Sequence, residues 1–281
     1  MKNYQKLLLT FALSAMATVP VAASGQYGDE KYQPTVGQDG KDVIWVPTGD
    51  ELVTKMLETA KVTAEDIVYD LGAGDGKIPI AAASKYGARS VGIEYNADMA
   101  ELARRNAARA GVSDKVKIIH GDIFQENFTE ATVVTLYLLP DLNLKLRPTL
   151  LKMKPGTRIV SHAFSMGDWE ADQKIETRAA HAYYWVVPAN VAGTWVLDGV
   201  NPTQQVTLQL SQRFQRVGGN IVIGKTTQPL LGAQLEGDKL TFRYLDSNNT
   251  LHTGVVTVNG NSMSGEVSGD TLFRKFSGGR R

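Results

Sequence analysis

The sequence predicts an α/β protein with a doubly wound, mostly parallel sheet, followed by a small all-β antiparallel barrel or sandwich domain. Two observations lead to this prediction. Over residues 46–187, short apolar runs typical of buried strands alternate with stretches of helical periodicity, as in βαβ units. Over residues 188–281 the helical stretches end, and short runs of alternating polarity are separated by glycine and asparagine turn signals. We therefore predict two domains with a boundary near residue 188.

The first domain is predicted to open with a helix and then to alternate strands with helices. Thr48 and Glu51 have the spacing of a capping box, so the opening helix should begin just after Thr48. Buried strands are predicted at 67–69, 90–93, 116–119, 132–136 and 158–160, with a returning edge strand at 182–187. The later helices are predicted at 78–86, 97–110 and 141–153.

The second domain is predicted to contain strands alone. Hairpin turn signals such as Gly218-Gly219 and Asn259-Gly260 lie between its apolar runs. The clearest strands are predicted at 206–210, 220–224, 239–244 and 254–258. A length of roughly 90 residues with this pattern is typical of a small barrel or sandwich.

The N-terminal residues have the pattern of an export signal. Lys2 and Lys6 precede the apolar run 7–17, and small residues follow it at cleavage spacing. We predict a signal peptide over 1–24, a poorly ordered linker over 25–45, and a periplasmic or secreted mature protein. A cytoplasmic or membrane-anchored protein is the alternative. The apolar run is shorter than the roughly 20 residues of a spanning helix, so the mature chain should have no stable membrane span.

The composition excludes several classes of protein. The chain has 281 residues, no cysteine, and 30 basic against 29 acidic residues. Without cysteine there can be no disulfide, no thiolate metal site and no cysteine nucleophile. The four histidines fall in no ligand-like spacing, so we expect no metal. The near-zero net charge argues against a protein built to neutralise nucleic-acid phosphates.

A glycine-rich loop follows the first predicted strand. Asp70 ends that strand, and Gly72, Gly74 and Gly76 come after it. Glycines here let a ligand approach the backbone at the start of the next helix, although many doubly wound proteins turn here with glycine for structural reasons alone. The dinucleotide fingerprint fails because Lys77 stands where its third glycine would be. A carboxylate such as Asp70 is also a poor neighbour for pyrophosphate and a good acceptor for an ammonium group.

Two further acids follow the second and third predicted strands. Glu94 lies about 20 residues beyond the loop, where an acid can bind both ribose hydroxyls. Asp122 follows Gly121 at the edge where an adenine amine could be bound. Each has a simpler interpretation, since Glu94 can stabilise the start of the next helix and Asp122 can cap a loop. Together with Asp70, the two acids predict a ligand with an adenosine end and an amino-acid end but no phosphate.

Over roughly residues 46–170, these residues resemble those of the class I S-adenosylmethionine-dependent methyltransferases. The resemblance implies S-adenosyl-L-methionine as the cofactor. From the methionine end through the ribose to the adenine, the cofactor-binding residues that it implies are Asp70, Gly72, Gly74, Glu94, Asp122 and Ile123.

A narrower resemblance rests on residues 133–140, VVTLYLLP, with Leu146-Arg147-Pro148 further along the chain. These segments are similar to those of the bacterial relatives of the protein-lysine methyltransferases that modify the ATP-synthase c subunit. The resemblance implies an enzyme that transfers a methyl group to an amine, with a lysine of a protein substrate as the expected acceptor. The signature N/D-P-P-Y/F is absent from the fourth strand, which argues against nucleic-acid bases and glutamine. We therefore expect a protein partner and no nucleic acid.

Tyr137 and His162 are the candidate catalytic residues. A lysine must be neutral to attack the sulfonium methyl, so the site must desolvate it or accept its proton. Tyr137 lies where the acceptor approaches in this fold and could hydrogen-bond the amine; a tyrosine packed on the core is the alternative interpretation. His162 is a weaker candidate, since a structural histidine is a common role, and positioning alone could suffice.

An exported methyltransferase would be separated from a cofactor that is made in the cytoplasm. The alternative function is therefore an exported, non-enzymatic binding protein that retains the fold, with the β domain engaging a partner or ligand. The intact set of Asp70, Glu94 and Asp122 favours the enzyme, because an idle pocket would not need all three acids.

Overall fold

The structure, a computed structural model, describes residues 27–270 and 272–281. The predicted signal peptide over 1–24 lies outside this part of the chain. Within it, the chain forms a seven-stranded mixed sheet with helices on both faces, and then a nine-stranded antiparallel sheet. No helix in the described residues is both long enough and apolar enough to span a membrane.

The first sheet has the predicted doubly wound, mostly parallel arrangement. Its strands and helices are, in chain order, α1 (Asp50–Thr59), β1 (Ile67–Leu71), α2 (Lys77–Tyr86), β2 (Arg89–Glu94), α3 (Ala97–Arg109), β3 (Val116–His120), β4 (Val133–Leu136), α4 (Pro140–Leu150), β5 (Arg158–His162), β6 (Gln173–Glu176) and β7 (His181–Val186). The strand order is β3-β2-β1-β4-β5-β7-β6, and β7 runs antiparallel to both of its neighbours.

Helices cover both faces of this sheet. On one face, Leu57 of α1 and Ala82 of α2 pack with Val68 of β1. On the other face, Leu146 of α4 packs in one cluster with Tyr69 of β1. Successive strand residues point to opposite faces, so a sheet covered on both sides needs apolar residues at nearly every strand position. This explains why the strands were visible in the sequence as continuous apolar runs.

The carboxyl ends of β1 and β4 mark the point where the strand order reverses. β1 lies between β2 and β4, and the register places Asp70 beside Gly92 on one side and Thr135 on the other. In open α/β sheets, ligands bind in the crevice that forms at such a point. The fold therefore puts Asp70 at the edge of a ligand-binding crevice.

The second sheet is antiparallel and curls into a nearly closed barrel, which confirms the predicted all-β class. Its strands are β8 (Gly193–Asp198), β9 (Val206–Arg213), β10 (Arg216–Ile223), β11 (Thr226–Pro229), β12 (Leu231–Glu236), β13 (Lys239–Leu245), β14 (Leu251–Asn259), β15 (Ser262–Ser268) and β16 (Phe273–Arg280). The order is β11-β10-β9-β8-β16-β15-β14-β13-β12, and β10 contacts β12, which brings the two edges together. Trp195, Phe242 and Met263 are among the residues that fill the interior.

One predicted turn is wrong. Gly218-Gly219 lies inside β10, and the turn is made by Phe214 and Gln215 between the paired residues Arg213 and Arg216. At Gly219, φ is +148°, and a Cβ would lie 2.0 Å from the carbonyl oxygen of Gln209 on β9. Glycine is needed there for a close approach of two strands rather than for a reversal of the chain.

The tip of the β9–β10 hairpin rests on the segment that follows β5. Phe214 stacks on Trp169 with ring centroids 6.0 Å apart. Arg213 forms an ion pair with Asp168 at 2.9 Å, and Arg216 forms one with Glu170 at 2.6 Å. The barrel therefore contacts the first sheet beside the loop that leaves the carboxyl end of β5.

Candidate active site

A cleft, partly open to solvent, lies at the carboxyl ends of β1, β2 and β4. Residues that the sequence placed at a cofactor and at an acceptor line this single cleft, namely Asp70, Gly72, Gly74, Glu94, Asp122, Ile123 and Tyr137. His162 packs against Tyr137 and is buried. The structure thus brings the predicted site residues together, and their individual roles stay predictions.

The glycine-rich loop turns sharply back onto β2. The backbone N–H groups of Gly72 and Ala73 both donate to the carbonyl oxygen of Ile93, each at 2.9 Å. Gly74 has φ +55°, and a Cβ there would lie 2.7 Å from Nε1 of Trp45. Both the left-handed backbone and the close indole ring require glycine at this position. The loop lines the cleft through Gly72, Ala73 and Gly74, with Trp45 packed against Gly74.

Asp70 is buried at the end of β1, with 2% of its surface exposed. The Thr135 hydroxyl donates to its Oδ1 at 2.6 Å. Burial raises the pKa of Asp70 to about 7; the hydroxyl opposes this rise, and the nearby carboxylates of Glu94 and Asp75 add to it. A buried carboxyl in this state is stabilised as an anion when a positively charged ligand comes beside it.

Glu94 fastens the glycine-rich loop to the end of β2. Its Oε2 accepts from the backbone N–H of Gly74 and its Oε1 from that of Asn96, both at 2.8 Å. Asn96 is the N-cap of α3, so the interpretation of Glu94 as a helix-start residue also holds. Burial raises the pKa of Glu94, and the backbone donors oppose that rise. Each oxygen keeps acceptor capacity for one more donor, such as a ribose hydroxyl.

Asp122 faces the cleft from the loop after β3. Its Oδ1 accepts from the backbone N–H of Phe124 at 2.9 Å, so it caps the loop. Its Oδ2 accepts from the Lys41 ammonium at 2.7 Å, and this pairing lowers the pKa of Asp122. Ile123 lines the cleft next to it. An acceptor and an apolar side chain lie side by side here, which suits an adenine ring with its exocyclic amine.

Residues 38–48 also line the cleft, in a region where the sequence predicted a poorly ordered linker over 25–45. The segment has no helix or strand in the structure, and it is held by specific contacts. Backbone N–H groups of Gly37 and Trp45 donate to the carbonyl oxygens of Trp45 and Gln38, at 2.8 and 2.9 Å. We call residues 37–45 the strap. Sequence reasoning missed it because glycine and polar residues without periodicity look alike in loops that are packed and loops that are not.

Tyr137, which the sequence predicted to lie beside the acceptor, lines the cleft just after β4. Its ring lies 3.7 Å from that of His162, centroid to centroid, with 31° between the planes. Burial, aided by the nearby His181, lowers the pKa of His162 to about 4, so its ring is neutral at pH 7. Burial raises the pKa of Tyr137, which keeps its hydroxyl protonated. His162 therefore supports the tyrosine ring and is a poor proton acceptor at neutral pH.

Thr48 does not cap α1, contrary to the capping box that the sequence suggests. The N-cap of α1 is Gly49, with no side-chain hydrogen bond. The Thr48 hydroxyl instead lies 3.0 Å from Nδ1 of His162. The hydroxyl that the sequence predicted to cap α1 therefore contacts His162, which lies 114 residues further along the chain.

Asn143 is a further residue that the sequence analysis missed. It is fully buried on α4, and its amide donates to Ser161 Oγ at 3.0 Å and to the carbonyl oxygens of Phe164 and Ser165. The side chain therefore ties the loop after β5 to α4. The sequence does contain one indication, because Asn143 is a single amide among leucines on a predicted helix. A buried amide needs hydrogen-bond partners, so such a residue is expected to make tertiary contacts.

The cleft fits S-adenosyl-L-methionine on three observations. Asp70 is a buried carboxyl of raised pKa that a cation would stabilise. The glycine-rich loop lines the cleft through Gly72 and Gly74, and Glu94 keeps acceptor capacity for hydroxyls. When bound, this cofactor supplies an electrophilic methyl group on a positively charged sulfur. No group of three metal-binding side chains occurs within 27–270 and 272–281.

Comparison with known proteins agrees with this site. Residues 70–173 match the ANTKMT methyltransferase domain family. A protein-lysine N-methyltransferase of Saccharolobus islandicus (strain REY15A) is 44% identical over 136 residues, which is 48% of this chain and 84% of the relative. The human lysine N-methyltransferase of the ATP-synthase c subunit is 31% identical over 123 residues, and the match spans only 51% of its length and 43% of this chain.

A solved structure from Salinibacter ruber is also similar. It is described as an RNA methyltransferase in complex with S-adenosyl-L-homocysteine. The two share 49% identity with a TM-score of 0.51, over 52% of this chain and 96% of that one. The relatives therefore agree on methyl transfer, and their names differ on the acceptor.

Proposed function

This chain belongs to the family of class I S-adenosylmethionine-dependent methyltransferases that includes the Saccharolobus islandicus protein-lysine N-methyltransferase, and from that membership we propose that it methylates lysine side chains of a protein. The observation that carries the proposal is the position of Tyr137. Its side chain lines the same cleft as Asp70, at the end of β4, with a neutral hydroxyl that can accept a hydrogen bond from an amine. None of the comparisons favours the alternative of a non-enzymatic binding protein.

The surroundings of Tyr137 suit a lysine side chain. Ile44, Leu138 and Leu142 line the same cleft as Tyr137, so the apolar stem of an entering lysine can lose water against apolar side chains. Desolvation disfavours the charged ammonium and lowers its pKa. The Tyr137 hydroxyl would then orient the neutral amine toward the methyl group.

The proton of the lysine has no strong acceptor in the Tyr137–His162 pair. A histidine with a pKa of about 4 cannot hold the proton at neutral pH, and a phenol is a weaker base still. We propose that the ammonium loses its proton to water before attack. Transfer then forms the nitrogen–carbon bond and breaks the sulfur–carbon bond, and the contribution of the protein is positioning and desolvation.

RNA is a second candidate acceptor, because the Salinibacter ruber protein is described as an RNA methyltransferase. The cleft opening favours protein over RNA. Ile44 lines the cleft and is 52% exposed, and Leu138 and Leu142 line the cleft as well. Apolar side chains around an opening suit a polypeptide better than a phosphate backbone, which needs a cluster of basic residues.

The experiment uses purified protein with S-adenosyl-L-methionine carrying a tritiated methyl group, incubated separately with total protein and total RNA from the same cells. We expect label in protein, with mass spectrometry placing the added methyl groups on lysine. The Asp70→Ala variant is the control and should lose the label, because it removes a carboxylate proposed to bind the cofactor. Label in RNA alone would replace lysine by RNA as the acceptor, and label in neither would refute both proposals.

We also propose that the protein is exported, on the N-terminal sequence pattern alone. Cell fractionation with a cytoplasmic marker, followed by N-terminal sequencing of the purified chain, tests this. Export predicts an extracytoplasmic chain shortened by about two dozen residues. Recovery of the full-length chain with the cytoplasmic marker would contradict it and would remove the conflict with cofactor supply.

A further inference from the structure

The N-terminal segment before α1 is fastened to the body of the first sheet at Asp29. The carboxylate of Asp29 is 4% exposed and pairs with Arg105 at 2.6 Å and Arg109 at 2.9 Å, both on α3. It also accepts from the backbone N–H groups of Lys31 and Tyr32. The hydrogen bonds from Arg105, with those from Arg109 and the backbone, hold the pKa of Asp29 well below its usual range. Five N–H groups from four residues thus bind this carboxylate. A buried charge needs such partners, so Asp29 is a specific anchor.

Beyond the anchor, the strap crosses the cleft from the glycine-rich loop to the loop after β3. At one end, the indole of Trp45 lies against Gly74 and meets the ring of Tyr27 edge-on, 5.4 Å between centroids. At the other end, Lys41 reaches Asp122 Oδ2 at 2.7 Å and lies over the ring of Tyr95, 4.8 Å from its centroid. The strap thus contacts both the methionine end and the adenine end of the proposed cofactor site.

The strap forms part of the wall of the cleft. Its residues Lys41 and Trp45 line the same cleft as Asp70, Glu94 and Ile123. A ligand bound beside these three residues would therefore lie against the strap.

We propose that the strap closes over bound S-adenosyl-L-methionine and that the Lys41–Asp122 pair is the latch that slows cofactor release. Asp122 can accept from Lys41 and from an adenine amine at the same time, because its carboxylate has about four acceptor sites. The latch holds the loop that flanks the adenine in place. This inference rests on the cofactor alone and is independent of whether the acceptor is lysine or RNA.

The test is the dissociation rate of S-adenosyl-L-homocysteine from the purified full chain, measured by stopped-flow displacement. Lys41→Met keeps the length of the side chain and removes its charge. We expect dissociation to become about twofold to fivefold faster, with weaker equilibrium binding to match, as loss of a partly exposed ion pair predicts. Lys41→Arg should restore slow release, because it keeps the charge beside Asp122.

Lys145→Met is the matched control. Lys145 lies over the ring of Phe124, with Nζ 3.9 Å from its centroid, so it is close to the same loop but outside the strap. It should leave the dissociation rate unchanged. Equal rates in Lys41→Met and the wild type would overturn the proposal, and so would tighter binding in Lys41→Met, which would make Lys41 a competitor of the cofactor.

Limited proteolysis supplies a second, independent readout. Trypsin cleaves after lysine, so cleavage after Lys41 reports an open strap. We expect saturating S-adenosyl-L-homocysteine to slow this cleavage in the wild type and to slow it less in Asp29→Asn, whose anchor is weakened. Cleavage at an unchanged rate with bound ligand would refute closure, and none of these measurements needs a methyl acceptor.

Discussion

Asp70 is the residue through which pH should act on cofactor binding. Because its pKa is about 7 before the ligand binds, a cation beside it must shift Asp70 to the anion and release a proton at lower pH. Binding of S-adenosyl-L-homocysteine, which carries an ammonium group, should therefore tighten as pH rises from 5 to 7, by up to about tenfold per unit. Calorimetry in buffers of different ionisation enthalpy would measure the proton release. Asp70→Asn should bind weakly with a flat pH dependence; a flat profile in the wild type would contradict the assignment.

The same carboxyl should lower the stability of the ligand-free protein as pH rises. The folded pKa of about 7 lies above the ordinary value of 3.8, so the folded chain holds a proton that the unfolded chain releases. The free energy of unfolding therefore loses this contribution between about pH 4 and pH 7. Thermal melts over this range should show a smaller fall for Asp70→Asn than for the wild type. An equal fall in both would assign the effect to other groups.

Tyr137 should matter through its hydroxyl as well as its ring. Tyr137→Phe keeps the ring that packs on His162 and removes the hydroxyl that we propose to hydrogen-bond the acceptor. We expect kcat to fall about tenfold with unchanged affinity for S-adenosyl-L-homocysteine, since one hydrogen bond is lost. Tyr137→Ala should lose more activity because the ring is gone. Full activity in Tyr137→Phe would favour the alternative that this tyrosine is only a core residue.

The acids of the site could be predicted from sequence, whereas the lysine that pairs with Asp122 could not. Asp70 and Glu94 are the last or next-to-last residues of apolar strands, and strand ends in a parallel sheet meet at one edge. Lys41 reaches Asp122 across 81 residues of sequence, with no periodic pattern that marks it. The contact of Thr48 could not be predicted either, because its hydroxyl lies beside His162, far along the chain, and does not cap the nearby helix.

At the scale of elements, the role of Gly74 in the glycine-rich loop can be tested by comparison with Gly111, a glycine of similar backbone conformation. Gly74 and Gly111 have φ of +55° and +69°, but a Cβ would meet Trp45 at 2.7 Å in the first and nothing within 4 Å in the second. Alanine at either position should cost about 1 kcal/mol of stability through the left-handed backbone. Gly74→Ala should in addition displace the strap and weaken S-adenosyl-L-homocysteine binding. Equal binding by the two variants would show that the strap does not depend on this contact.

Elements were predictable where burial is two-sided and were missed where strands are polar. β1 and β4 are mostly apolar and are buried along nearly their whole length, because helices cover both faces of the first sheet. In β6 only Ile175 is buried, and in β15 only Met263 and Val267 are, so neither has a run long enough to recognise. Such strands form because neighbouring strands supply backbone hydrogen bonds. Those neighbours are distant or unrecognised in the sequence, so the strands cannot be predicted from their own residues.

At the scale of the whole molecule, the β9–β10 hairpin should couple the stability of the barrel to that of the first sheet. Phe214 packs on Trp169, and the guanidinium of Arg147 lies 5.7 Å from its ring centroid. Phe214→Ala should lower stability by about 1–3 kcal/mol and separate the unfolding of the two sheets into two calorimetric transitions. Phe273→Ala is the control, because Phe273 is 61% exposed on the barrel and should change little. A single unshifted transition in Phe214→Ala would show that the hairpin does not couple them.

The position of the strap in the chain has a consequence for the order of folding. Asp29 and Lys41 leave the ribosome early, but their partners Arg105 and Asp122 come 76 and 81 residues later. Contacts of such long sequence separation form late, because loop closure has to precede them. The strap can therefore take its place at the cleft only after β1, β2, β3 and α3 have formed. A newly synthesised chain would pass through a state with a complete sheet and an open cleft. Ligand present at that moment would bind before the Lys41–Asp122 pair has formed.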